Sequence, residues 1–243
     1  MHRATLASLV VGALIIALAI AARVNKAGNS IAPLPKSGMF TVDQRLAQYG
    51  AAVAARLAPA FAQARLAYPP HEIAYVAFKD EPLLLVYARN ARDERWRFVK
   101  QYPVLAASGD PGPKLREGDR QVPEGIYRAE LLNANSRFHL SIRLDYPNEF
   151  DRRMALLDQR STLGGAIMIH GDQVSVGCLA MGDQAAEDLF ILAAQVGKER
   201  TRIVVSPTDF RVRKAAPPQS PAWTRALYES LDAELRQYPR HAM

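Results

Sequence analysis

The sequence contains a single cysteine, Cys178, and a histidine, His170, that stands eight residues before it. A thiolate is a strong nucleophile, but a free cysteine has a pKa of about 8.5 and needs a neighbour that takes its proton. An imidazole is the usual neighbour of this kind. The pair therefore fits acyl transfer through a thioester, with Cys178 as the nucleophile and His170 as the general base. A buried, inert thiol is the alternative for a lone cysteine.

The residues around this pair indicate how it is positioned. His170 ends an apolar run, residues 166–170, which is bounded by glycines and predicts a short strand. Gly177 directly precedes the cysteine and lets the backbone approach a reacting group closely. We expect the amides of Gly177 and Cys178 to point at a developing oxyanion. Ser175 is either part of this site or simply a turn residue.

Length and composition limit the class of protein. The chain has 243 residues, of which 49% are hydrophobic and 23% charged, as expected for one globular domain with tails. Its net charge of +7 favours anionic surroundings. We expect no nucleic acid partner, because no run rich in lysine and arginine is present. A single cysteine excludes an internal disulfide and a multi-thiolate zinc site, and we expect neither a metal ion nor a cofactor.

The N-terminus predicts export. Residues 4–22 carry no charge and are preceded by Arg3 and followed by Arg23. This length can span a bilayer as a helix, and the pattern also resembles a secretory signal. We therefore predict that residues 1–23 are a signal peptide or a signal anchor. If the segment is not cleaved, it makes the inner membrane a partner of the protein.

A helix is predicted before the main domain. Residues 24–40 contain glycine and proline and indicate a linker, after which Thr41 can cap an alanine-rich helix that runs to about residue 68. Pro59 is expected to kink or split this helix. Linker and helix together define a segment that comprises residues 24–70.

The rest of the chain is dominated by short strands. Residues 150–165 are predicted to be irregular or partly helical, and Asp183 is expected to cap a helix that Gly197 ends. Residues 211–243 are predicted to form a proline-rich linker and a terminal helix. The predicted strands are 72–78, 82–88, 96–100, 104–107, 126–131, 138–145, 166–170 and 202–205. The fold class is therefore mostly β (α+β), with one main internal helix and further helices near the termini.

Three motifs, in order along the chain, resemble those of the L,D-transpeptidase (YkuD-like) catalytic domains. They are a Pro-Glu-Gly turn at residues 123–125, a Leu-Asp-Tyr-Pro-Asn-Glu-Phe-Asp-Arg stretch at 144–152, and His170 followed by Ser-Val-Gly-Cys at 175–178. The resemblance covers about residues 72–206 and is strongest to the Gram-negative murein-processing branch. Many members of the family carry a second histidine directly before the Gly-Cys pair, where this chain has Val176.

This resemblance implies a fold and a chemistry. The fold would be a mixed β-sandwich or barrel of the YkuD type, formed by residues 71–210. The activity would be that of a periplasmic enzyme whose cysteine attacks the L-centre of diaminopimelate in a peptidoglycan stem peptide. Cys178 would be the nucleophile and His170 the base, with the Gly177 amide in the oxyanion site and Ser175 at the Ser/Thr position of the family.

The resemblance leaves several roles and reactions open. Lys114 and Arg152 are candidates for binding stem-peptide carboxylates, although loop cations are more often simply solvated. Asp183 would lie near the site. The acyl group could pass to an amine or to water, and the leaving group could be a D-residue or a murein-linked lipoprotein. A non-catalytic envelope-binding module is the third alternative, but such a module does not need a nucleophile.

Overall fold

The computed structural model describes residues 39–214 and 221–240. The predicted signal or anchor at 1–23, almost all of the linker at 24–40 and part of the proline-rich linker lie outside the described residues. Within the described ranges, no helix is both long enough and apolar enough to cross a membrane.

Nine strands in the described part of the chain form one curled sheet. They are β1 (Glu72–Phe78), β2 (Leu83–Arg89), β3 (Arg97–Pro103), β4 (Ala106–Ala107), β5 (Gly125–Ser136), β6 (His139–Leu144), β7 (Met168–His170), β8 (Leu179–Ala180) and β9 (Thr201–Ser206). Their order across the sheet is β3-β2-β1-β9-β5-β6-β7-β8-β4. The pairs β1–β9 and β7–β8 are parallel, and the other neighbours are antiparallel.

Four α-helices within the described ranges pack against this sheet: α1 (Val42–Gln63), α2 (Glu149–Leu157), α3 (Asp183–Val196) and α4 (Thr224–Leu235). The larger apolar core lies between the sheet, α1 and α3. A second core includes the buried face of α4. The Nε atom of Arg56 in α1 lies 2.7 Å from the buried carboxylate of Asp188 in α3, which joins the two helices.

The first helix begins as predicted but continues past its proline and ends earlier. Thr41 caps α1 through a capping box with Gln44, which confirms the predicted start. Pro59 lies inside a helix that is not split, in contrast to the expectation. A proline inside a helix removes one hydrogen bond and crowds the preceding turn with its ring, at a cost of about 3 kcal/mol, whereas each large side chain buried on either side of Pro59 contributes about 1.5–3 kcal/mol. These side chains are Val53, Leu57 and Phe61.

The end of α1 has a local cause. Arg65 adopts a left-handed φ of +55°. The amide of Leu66 donates to the carbonyl of Phe61 at 2.9 Å, and the amide of Arg65 donates to that of Ala62 at 3.0 Å. This is the Schellman pattern that closes a helix. The helix therefore ends at Gln63 and not near residue 68, and an arginine occupies a position that glycine usually marks.

One further prediction needs correction. Asp183 does not cap α3, because Gly182 occupies the cap position without a side-chain hydrogen bond. The stretch 150–165, predicted to be irregular or partly helical, is partly helical: its first half belongs to α2, in which Asn148 and Asp151 form a capping box. The predicted strand at 138–145 is confirmed as β6, and Gly197 ends α3 as expected.

Candidate active site

His170 is the last residue of β7, and Cys178 directly precedes the parallel strand β8. His170 is paired with Ala180, and Ile169 with Leu179. Continued by one residue, this register places Cys178 level with the residue two positions before His170. Since side chains alternate along a strand, His170 and Cys178 share one face while Ile169 and Leu179 fill the core on the other. From this extension of the register, we infer that the two candidate catalytic residues are diagonal neighbours.

The imidazole of His170 is held in one tautomer and one orientation. Its Nδ1 atom lies 2.6 Å from the carbonyl oxygen of Gly171. Only a protonated ring nitrogen can donate to a carbonyl, so Nδ1 carries a proton, and in the neutral ring the lone pair is therefore on Nε2. The ring also stacks on Phe138 with a centroid distance of 4.7 Å, and only 2% of the residue is exposed. A neutral imidazole fixed in this way can accept a proton at Nε2.

Glycine is the residue type that fits at position 171, directly after the histidine. A Cβ atom at this position would lie 2.5 Å from Asp183 Oδ1 and 2.8 Å from the carbonyl oxygen of Phe138. The Gly171 amide donates to that same carbonyl at 3.0 Å. Close backbone packing thus fixes the carbonyl that orients His170. Asp183 contributes by accepting the Asp172 amide at 2.8 Å, which places it beside the site, as the resemblance implies.

The thiol of Cys178 is partly exposed, and its sulfur lies 3.7 Å from the carbonyl oxygen of Ala166. Burial raises the pKa of the Cys178 thiol, while a hydrogen bond from the Met168 backbone and the positive charge of Lys114 lower it by less. The net result is a pKa above the usual value, so the thiol is protonated at neutral pH. A cysteine in this state needs a base before it can act as a nucleophile.

The two amides predicted to bind an oxyanion both donate to serine hydroxyls. The Cys178 amide donates to Ser175 Oγ at 3.1 Å, and the Gly177 amide donates to Ser108 Oγ at 2.7 Å. Gly177 has a φ of +82°, which a residue with a side chain rarely adopts. Ser108 in turn donates to the carbonyl oxygen of Arg120 at 2.6 Å. An oxyanion in this position has to replace one or both hydroxyls.

Ser108 and Phe138 are site residues that the sequence did not reveal. Ser108 is 69 positions from Gly177 and reaches it only because β4 pairs with β8 at the edge of the sheet. Phe138 stands out in the sequence only as part of the apolar face of the strand predicted at 138–145, and it directly precedes β6. For neither residue does its distance along the sequence from His170 or Cys178 indicate that it belongs to the site.

The two predicted cations lie in different surroundings. Lys114 is 8% exposed, and its Nζ atom lies 2.5 Å from Asp119 Oδ1 and 2.9 Å from the carbonyl oxygen of Arg116. It is therefore not a solvated loop charge. Arg152 is exposed on α2, where its guanidinium donates to the carbonyl oxygen of Pro147. Val176, at the position of the second family histidine, is 71% exposed.

Comparison with known proteins identifies the family. The model of the L,D-transpeptidase catalytic domain, YkuD, matches residues 74–205, which is more than half of the chain. The chain belongs to this family. The match contains all the residues discussed above for the site, while α1 and α4 lie outside it. The predicted L,D-transpeptidase resemblance is thus confirmed.

Individual relatives of this L,D-transpeptidase-family chain align over part of their length. YafK of Escherichia coli strain K12, provisionally named an L,D-transpeptidase, is 36% identical over 115 residues. The alignment covers 46% of this chain and 44% of YafK, and the O157:H7 protein gives the same values. The chain thus spans less than half the length of these relatives.

Two solved structures are also similar. The helical cell shape determining protein Pgp2 from Campylobacter jejuni is 22% identical with a TM-score of 0.43, and the match covers 55% of this chain and 47% of Pgp2. For L,D-transpeptidase 1 from Mycobacterium tuberculosis the identity is 16% and the TM-score 0.32, with coverage of 56% and 62% respectively.

Proposed function

We propose that this L,D-transpeptidase-family domain is a cysteine acyltransferase that acts on peptidoglycan stem peptides at diaminopimelate. Family membership supports the substrate class. The observation that carries the chemistry is the 2.6 Å hydrogen bond between His170 Nδ1 and the Gly171 carbonyl, since it leaves Nε2 as a base on the face that bears Cys178. Cys178 is the nucleophile and His170 the general base.

The first half of the reaction forms a thioester. His170 Nε2 takes the proton from Cys178 Sγ as the sulfur attacks the carbonyl carbon of the L-centre. The Gly177 and Cys178 amides donate to the resulting oxyanion in place of the Ser108 and Ser175 hydroxyls. When the tetrahedral intermediate collapses, the carbon–nitrogen bond breaks. The leaving amine then takes the proton from the imidazolium of His170.

The second half releases the acyl group. An acceptor amine attacks the carbonyl carbon of the thioester, and His170 takes the proton of that amine. The carbon–sulfur bond breaks as the new amide forms, and the proton passes from His170 to the thiolate of Cys178. Lys114 and Arg152 are the cations that we propose for the stem-peptide carboxylates. Of these, Lys114 would have to exchange its contact with Asp119 for the substrate.

Hydrolysis of the same thioester is the second candidate function. The product would be a shortened stem peptide, or a lipoprotein released from murein. The observation that favours it is Val176, which occupies the position of the second histidine found in many relatives and is exposed to solvent. A water molecule would then take the place of the acceptor amine, with His170 again as the base.

We further propose the organisation around this activity. Residues 71–210 form the catalytic domain, residues 24–70 contain the linker and α1, and residues 211–243 contain the second linker and α4. Residues 1–23 export the protein to the periplasm or anchor it in the inner membrane.

Muropeptide analysis after incubation with purified peptidoglycan tests this proposal. New cross-linked dimers indicate transfer, tripeptides formed from tetrapeptides indicate hydrolysis, and free lipoprotein indicates release. We expect Cys178→Ser and His170→Ala to abolish every product, whereas His139→Ala, a substitution of a histidine bonded to Glu187, retains them. Products from Cys178→Ser protein would contradict the proposal.

A further inference from the structure

The catalytic scheme does not use a buried ion pair at the base of the loop that carries Ser108 and Lys114. Lys79 directly follows β1, and Glu124 directly precedes β5. Their side chains are 3% and 0% exposed, and Lys79 Nζ lies 3.4 Å from Glu124 Oε1. Taking two charges out of water is costly even when they are paired, and apolar residues of similar size are often at least as stabilising. A stabilising role alone thus explains the pair poorly.

The pair fastens both ends of one loop, residues 108–124. The ammonium of Lys79 donates to the carbonyl of Gly112 at 2.9 Å, to Gln121 Oε1 at 2.8 Å and to the carbonyl of Val122 at 3.1 Å. An ammonium has three donors, so all of them are used. Glu124 accepts the Gly112 amide at 2.6 Å, so both backbone groups of Gly112 are held.

The same loop contacts the backbone next to the candidate nucleophile. Val122, whose carbonyl accepts from Lys79, donates its amide to the carbonyl of Ser108 at 3.2 Å. The hydroxyl of Ser108 then accepts the Gly177 amide at 2.7 Å. A continuous path of hydrogen bonds therefore runs from Lys79 to the residue before Cys178. The loop also places the charge of Lys114 close enough to act on the thiol.

We propose that Lys79 and Glu124 are positioning residues that hold the 108–124 loop, and with it Ser108 and Lys114, against Gly177 and Cys178. They act through the loop and do not touch the substrate. The role accounts for the glutamate in the Pro-Glu-Gly turn. The inference deepens the proposed function, but its test does not require that function to be correct.

Alkylation of Cys178 with iodoacetamide between pH 6 and 10 tests the inference, because no other cysteine reacts. In Lys79→Met and Glu124→Gln the loop is released and the charge of Lys114 moves away from the thiol. We expect the pKa of Cys178 to rise in each variant, with alkylation slowed about threefold at neutral pH. Wild-type peptidoglycan activity is measured separately, so a failure of the proposed function is distinguishable from a failure of this inference.

Control variants separate positioning from general destabilisation. Glu72→Gln breaks a partly buried ion pair with Arg89 elsewhere in the sheet and should leave the pH midpoint of alkylation unchanged. Gln121→Ala removes one Lys79 contact without leaving a buried charge unpaired, so it should fold and shift the midpoint in the same direction. The inference is overturned if the midpoint in Gln121→Ala, and in whichever of Lys79→Met and Glu124→Gln folds, matches that of wild type.

Discussion

The fit of Gly171 behind the base gives the most specific prediction about the site. In Gly171→Ala the added Cβ atom would lie 2.5 Å from Asp183 Oδ1, 2.8 Å from the Phe138 carbonyl oxygen and 2.9 Å from His139 Cβ. The side chain of Asp183 can rotate away. The Phe138 carbonyl and His139 Cβ cannot, because the first is a backbone group and the second is bonded directly to the backbone. The carbonyl can retreat only by lengthening its 3.0 Å hydrogen bond to the Gly171 amide.

These contacts determine how much stability and how much activity Gly171→Ala should lose. Overpacking of this kind costs about 1–3 kcal/mol, and weakening one buried hydrogen bond adds about 0.5–1.5 kcal/mol. We therefore expect Gly171→Ala to lower the free energy of unfolding by about 2–4 kcal/mol. A shift of the Gly171 carbonyl also loosens its hold on His170, and small misplacements of a catalytic group cost up to about 100-fold in rate.

Urea denaturation and the rate of Cys178 acylation measure the two effects. Gly165→Ala is the matched control, because an added Cβ atom there would meet only the Tyr146 carbonyl oxygen, at 3.9 Å. The stability of the control should stay within about 1 kcal/mol of wild type, and its acylation rate should not change. If Gly171→Ala matches Gly165→Ala in both measurements, the reasoning about the base and its carbonyl is wrong.

Two further predictions concern α1 and α2. Burial raises the pKa of Asp151 to about 6, although the Asn148 amide opposes this by donating to its carboxylate. The contribution of this group to stability is therefore present in full below about pH 4 and is lost as the pH rises through about 6, by up to about 3 kcal/mol. Asp151→Asn should remove this pH dependence of the free energy of unfolding, as measured by urea denaturation at a series of pH values. An unchanged pH dependence would refute the assignment to Asp151. In the second prediction, Pro59→Ala restores a missing helix donor at an exposed position of α1 and should raise the free energy of unfolding by about 1–3 kcal/mol. A loss of stability would show that Pro59 is not strained there.

Local patterns in the sequence predict the parts of the fold that are locally determined. The alternation of apolar and polar residues predicts β6, although Ser141 on its polar face is buried as well, and β1 agrees residue for residue with its predicted bounds. The start of α1 follows from the capping box of Thr41. By contrast, α2 places Leu156 and Leu157 in solvent, so its apolar residues do not mark the face that is buried. The end of α1 is hidden because Arg65 adopts the conformation that glycine normally signals.

The candidate site also contains residues that the sequence predicts and residues that only the tertiary structure reveals. The residue types and spacing of His170, Gly177 and Cys178 predict the chemistry, because a thiol, a base and a glycine fall within one short stretch. The contact of Ser108 with Gly177 depends on the pairing of β4 with β8, and periodicity does not predict which strands are neighbours. The surroundings of Lys114 also depend on tertiary structure, since the sequence does not show that this loop lysine is buried and paired with Asp119.

In the proposed reaction, Cys178 forms a covalent acyl intermediate with His170 as its base. Intact-protein mass spectrometry after incubation with a carbapenem measures this directly. We predict an adduct of one carbapenem per chain on Cys178, absent in Cys178→Ser, strongly reduced in His170→Ala and retained in His139→Ala. Unmodified wild-type protein, or an adduct that persists in Cys178→Ser, would contradict the role of Cys178 as the nucleophile.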